Sequence, residues 1–96
     1  MRRLSDNEIS VALASLVHWE YDHGGLARAA PREYGDVEAT AARVAGADRD
    51  HVSTSTTSAG RVLRVASPRE GGVTVVDVDL AVRIEQELTG GPALAR

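Results

Sequence analysis

The chain has 96 residues with no phenylalanine, one tryptophan and two tyrosines, so it holds one domain whose core is built from valine, leucine, isoleucine and alanine. It has no cysteine, which excludes disulfides, thiolate nucleophiles and cysteine metal sites, and every basic residue is arginine, which excludes the lysine amine of Schiff-base and pyridoxal chemistry. A net charge of −3 with both signs interspersed gives no electrostatic footprint for nucleic acid, and no apolar run reaches the length of a membrane span, so a cytoplasmic protein is expected, with neither nucleic acid nor membrane as partner.

Ser5-Asp6-Asn7-Glu8 is a capping box, and Ile9, Ala12, Leu13 and Leu16 follow at helical spacing. A first helix is expected over about residues 5–17. His18 to Asp22 is short and aromatic and runs into His23-Gly24-Gly25, a hairpin turn signal, with Leu26 to Ala30 as the returning strand and Pro31 ending it. From Tyr34 to Ala47, Val37, Ala41 and Val44 recur on one face, which predicts an amphipathic helix.

Residues 51–57 are β-branched and polar and read as a strand with one wet face. Ser58-Ala59-Gly60 makes a turn, and Arg61 to Ala66 alternates cleanly, with Arg61, Leu63 and Val65 on one face. Pro68 to Gly72 is a turn-rich loop. Thr74 and Asp77 form a second capping box, opening a helix through about Leu88, and residues 89–96 read as a flexible tail. The order is α-β-β-α-β-β-α. Because hairpin turns make antiparallel pairs, the expectation is an α+β domain over residues 4–88, a four-stranded antiparallel sheet with three helices packed on one face.

The stretch Ser67-Pro68-Arg69-Glu70-Gly71-Gly72-Val73-Thr74, followed by Asp77 and by Leu80-Ala81, resembles the pterin-4a-carbinolamine dehydratase family. That family usually reads Thr-His, two variable residues, Gly-Gly-Leu-Thr, an Asp three residues on, and a Leu-Ala pair. The start Leu4-Ser5-Asp6-Asn7-Glu8-Ile9 and the position of Trp19 also look like the family. Its signature is a His-His-Pro triplet opening the third strand and a third histidine in the loop after the fourth. Counting back without gaps from Gly72-Val73-Thr74 places the triplet on Asp50-His51-Val52 and the third histidine on Pro68. Only His51 matches. The acidic residue expected before the triplet falls on Gly46, the aromatic expected in the third strand on Ser58, and the phenylalanines expected near residues 29–31 appear as Ala29 and Pro31.

The resemblance implies dehydration of a 4a-hydroxytetrahydropterin to the quinonoid dihydropterin. A proton must leave ring N5 while the hydroxyl departing C4a gains one, and imidazoles suit both tasks because their pKa lies near working pH. No cofactor is implied, and His18, His23 and His51 lack the spacing of a metal ligand set. The catalytic candidates are His51 as general acid or base, Asp50 beside it, and Glu70 in the loop where a histidine is missing. Val52, Ser67, Pro68, Arg69 and Trp19 are the candidates for substrate contact. Strand alternation would send the Asp50 and His51 side chains to opposite faces. Asp77 is accounted for as the third residue of a helix.

Losing one positioned acid or base costs about 10²–10⁴ in rate, so activity is expected to be weak or lost. Two alternatives stand beside this: a noncatalytic scaffold or assembly factor that binds a protein partner, and a dehydratase or isomerase redeployed on another cyclic metabolite. The hydroxyl-rich strand Ser53 to Thr57 would suit a polar ligand in the latter case. The family's habit and the small aliphatic core both imply a homodimer or homotetramer.

Overall fold

The computed structural model describes residues 2–31, 34–58 and 60–90. Ser5 caps the first helix, α1 (Asp6–Leu13): its hydroxyl accepts from the Glu8 amide at 3.2 Å, and the Glu8 carboxylate accepts the Ser5 amide at 2.8 Å. The Arg2 guanidinium, followed by the Ser5 amide, holds the Glu8 carboxyl down at about 2. The helix is shorter than the expected 5–17. Beyond Leu13 the amides of Ala14, Ser15 and Leu16 bond to carbonyls three residues back, and the Ser15 hydroxyl takes the Ala12 carbonyl. The chain tightens there and drops Leu16 into the core.

Strands β1 (Trp19–Asp22) and β2 (Gly25–Ala30) form the expected hairpin. His23 and Gly24 sit at φ +50° and +77°, the primed turn whose twist matches that of the strands it joins. The second helix, α2 (Val37–Ala45), begins later and ends earlier than the periodicity of residues 34–47 suggests. Asp36 starts it by accepting the Ala39 amide at 3.1 Å, and Gly46 leaves it at φ +55°. A 3₁₀ segment, Gly46–His51, follows and delivers the chain to β3 (Val52–Thr57).

Thr57 pairs with Gly60, the first residue of β4 (Gly60–Val65); Ala59 of the expected turn lies outside the described residues. A Cβ at Gly60 would meet the Ala30 carbonyl oxygen at 2.8 Å, so the close approach of β4 to the end of β2 requires glycine. The last helix, α3 (Val75–Thr89), is capped by Gly90 in the left-handed region, φ +80°. Thr89 therefore belongs to the helix, one residue past the expected end, and residues 91–96 of the expected tail lie outside the described residues.

The sheet runs β1-β2-β4-β3, every pair antiparallel. Its register puts Leu26, Arg28 and Ala30 on one face with Leu63 and Val65, against Val37, Ala41, Leu80, Ala81 and Ile84 of α2 and α3. Each fully buried leucine there contributes about 1.5–3 kcal/mol. The opposite face carries Glu20, Asp22, Ser53 and Ser55, all exposed, so the α+β architecture with helices on one face is the one observed. Among the described residues no helix is long and apolar enough to cross a membrane.

One charged pair lies inside that core. The Arg28 guanidinium, 3% exposed, donates to both oxygens of Glu85, at 2.6 and 3.0 Å, and the Trp19 indole N–H donates to the same carboxylate at 2.8 Å. Arg28 also bonds the Ala29 carbonyl and sits 5.2 Å from the Tyr34 ring centroid. The paired guanidinium, aided by the indole, holds the Glu85 carboxyl below its ordinary value, and Glu85 in turn raises Arg28. Every donor is used.

Candidate functional site

The start of α3 builds the site. Asp77 is fully buried, and its Oδ2 accepts the Thr74 amide at 2.8 Å, the carboxylate half of the capping box read from the sequence. The same oxygen accepts the Ser67 hydroxyl at 2.6 Å. Its other oxygen, Oδ1, lies 2.9 Å from His51 Nδ1. Capping thus occupies half the carboxylate, and the other half holds an imidazole from a segment 26 residues earlier in the chain.

The proton directions in this network follow if the Asp77 carboxylate is the common acceptor. A carboxylate accepts only, so Nδ1–H of His51 and O–H of Ser67 both donate to Asp77. The Ser67 oxygen, 2.8 Å from the Thr74 hydroxyl, is then the acceptor of that bond, and it lies 3.2 Å from Nδ1 as a weaker second acceptor. Nδ1 therefore carries a proton in both charge states of the ring. Nε2 is the atom that gains and loses one, and no protein group among the described residues bonds it. The hydrogen bond to Asp77 raises the His51 pKa above its ordinary 6.5, with Asp50 and Asp48 adding to the effect and partial burial opposing it.

Residues 50 and 51 lie in the 3₁₀ segment before β3, so the alternation expected of a strand does not separate them. Both line a cleft of about 310 Å³, together with Asp48, Pro68, Arg69 and Glu70 and with Ala47 and Val76 as its apolar wall. The loop after β4 holds its place through a backbone bridge: Ser67 N–H donates to the Gly72 carbonyl at 2.8 Å, and Gly71 N–H returns to the Ser67 carbonyl at 2.9 Å. The His51 carbonyl accepts the Ala66 amide at 2.9 Å, which fixes the 3₁₀ segment against the end of β4. A second, smaller cleft of about 190 Å³ shares Asp50, His51 and Pro68 with the first and extends past Val52 to Ser53, Arg64 and Ala66 on the open face of the sheet.

Of the residues singled out from the sequence, Asp50, His51, Pro68, Arg69 and Glu70 come together around one cleft, Val52 lines the adjoining one, and Ser67 lies buried beneath His51. Trp19 does not join them. It is 5% exposed, its indole N–H is committed to Glu85, and it lines neither cleft, so its place is the core. Asp77 is the residue that sequence reading missed. Asp77, Ala81 and Ile84 are spaced as one helical stripe, and that stripe is the buried one. A carboxylate on the core side of a helix needs partners beyond its own cap, and this was the available signal.

The chain matches the crystal structure of a transcriptional coactivator/pterin dehydratase from Brucella melitensis with a TM-score of 0.71, covering 88% of this chain and 96% of that one at 22% sequence identity. The fold is therefore pterin carbinolamine dehydratase-like. No family model and no curated protein sequence matches the chain.

Proposed function

On this pterin dehydratase-like fold, we propose that the chain is a hydro-lyase with a single proton-transfer group, His51, removing water from a 4a-hydroxytetrahydropterin or a closely similar cyclic carbinolamine. The observation that carries the reading is the buried Asp77 carboxylate fixed on Nδ1 with Nε2 left to an open polar cleft. A carboxylate so placed orients the ring, keeps one tautomer and favours the imidazolium, the arrangement used wherever a lone imidazole must act at a defined atom.

One imidazole suffices for the proton balance of this elimination. Imidazolium Nε2–H protonates the C4a hydroxyl, the C–O bond breaks, and water leaves as the N5 lone pair forms the C=N bond. Neutral Nε2 then takes the N5 proton, which yields the quinonoid dihydropterin and regenerates imidazolium. No redox step enters. Asp50 and Glu70 border the cleft where positive charge develops on the ring, and their field stabilises it. Pro68, where the resemblance puts a histidine, contributes shape and no proton, so a second proton carrier is absent at that position and turnover is slow.

Stopped-flow dehydration of 4a-hydroxytetrahydropterin tests this. The expected result is a rate above that of buffer that disappears in His51→Ala. A rate equal to buffer, or one that His51→Ala leaves unchanged, overturns the reading. The noncatalytic-scaffold alternative requires a rate equal to buffer.

A further inference from the structure

The cleft does not stop at His51. Asp50, His51 and Pro68 are common to the larger lobe and to the smaller one that crosses onto the open face of the sheet, where Arg64 and its cross-strand partner Ser53 form the wall. Arg64, like Arg3, Arg49 and Arg69, differs from five other described arginines in its partners. Arg2, Arg28, Arg43, Arg61 and Arg83 each pair with a carboxylate, whereas Arg64 has none among the described residues. It is half-buried, and its guanidinium is docked at the hairpin: it donates to the His23 carbonyl and lies where a side chain at position 25 would otherwise be, its Cζ 3.1 Å from the Cβ position of Gly25. The charge is thus held on the sheet by a backbone carbonyl and a missing side chain, with donors to spare.

The two lobes are also electrically unlike. Three carboxylates, Asp48, Asp50 and Glu70, surround the larger lobe beside Arg69, while Asp50 is the one carboxylate that reaches the smaller lobe with Arg64. A ligand lying across His51 meets three carboxylates and Arg69 at one end and, at the other, the Arg64 side chain, whose guanidinium keeps donors beyond its bond to the His23 carbonyl. We infer that Arg64 is a specificity-determining residue, and that the ligand processed at His51 is a donor-rich heterocycle bearing an oxyanion substituent, a carboxylate or a phosphate, which the Arg64 guanidinium meets in the smaller lobe. The inference rests on the reading of His51 as the proton-transfer group.

Fluorescence titration of the full chain with pterin-6-carboxylate and with neutral 6-methylpterin tests it. The carboxylate probe binds about tenfold tighter, the contribution of one charge-assisted hydrogen bond at a half-exposed site, and Arg64→Gln removes the preference. Arg64→Lys retains part of it, which separates lost charge from a disturbed hairpin, and high salt weakens it. Inorganic phosphate competing with the carboxylate probe alone marks a phosphate-type subsite; failure to compete marks a planar carboxylate. Equal affinity for the two pterins, or a preference that survives Arg64→Gln, overturns the inference. Wild-type turnover of the uncharged carbinolamine, read against His51→Ala, reports the acid–base reading separately, so either can fail while the other stands.

Discussion

Two carboxylates meet basic side chains at the core of this molecule, Asp77 fully buried and Glu85 partly so, and their partners differ. Glu85 receives Arg28 and Trp19, and every atom of that cluster is spent on another. Asp77 receives Thr74, Ser67 and His51, and the last of these has a second nitrogen that the network leaves to the cleft. The chemistry of the two clusters is nearly the same. What differs is a single unspent atom, and on it rests the proposal that one cluster transfers a proton while the other holds the fold.

The sharpest break between them is His51→Gln, whose amide can still donate to Asp77. Dehydration should fall about 10²–10⁴-fold, while the melting temperature barely moves on the alkaline side, where the imidazole is neutral and its charge adds nothing to stability. Glu85→Gln should do the reverse. It leaves the buried Arg28 charge uncompensated and costs about 3–5 kcal/mol in urea unfolding, with turnover per folded molecule unchanged. If either variant moves both readouts together, the division between the clusters is wrong.

The clusters should also fail at opposite ends of the pH scale. Glu85 titrates below its unfolded value near 4.5, so its stabilisation is present above that pH and is lost as pH falls through the lower folded pKa. His51 titrates above 6.5, so its contribution is complete below 6.5 and is lost as pH rises through the higher folded pKa. Unfolding curves of wild type and the two variants across pH should therefore diverge on opposite sides, the Glu85→Gln difference shrinking in acid and the His51→Gln difference shrinking in alkali. The same imidazolium is the acid of the proposed reaction, so turnover should decline on the alkaline side. The smallest effect belongs to Ser67→Ala, which leaves Asp77 its Thr74 amide. About 1 kcal/mol of stability and less than a tenfold loss of turnover are expected, and Ser67→Thr should restore both.

The fold was legible in the sequence because its signals are local. Two capping boxes, the His23-Gly24 turn and the alternation of Arg61 to Val65 each depend on residues within a few positions. Helix ends were less legible where a side chain competes with the periodicity: Ser15 and Asp36 trim α1 and α2 by bonding backbone that the apolar stripe alone would have continued into. The cleft-lining residues were legible from register, since His51 and Pro68 fall where the resemblance places proton carriers. Asp77 was not, because a local role explained it fully and its imidazole partner lies 26 residues earlier in the chain. Arg28 was hidden in the same way, for alternation puts it on the core face with Leu26 and Ala30 and nothing nearby in sequence announces Glu85.

The bridge between Ser67 and Gly72 pins both ends of a loop whose tip, Pro68 to Glu70, supplies three of the eight residues that line the cleft. That anchor is made of main-chain atoms, so it does not depend on the side chains of the tip residues. Such a loop behaves as a cassette: its chemistry can be rewritten one side chain at a time while the helix cap and the strand end beneath it stay as they are. A histidine placed at position 68 would add an imidazole to the cleft while the main-chain anchor stays as it is.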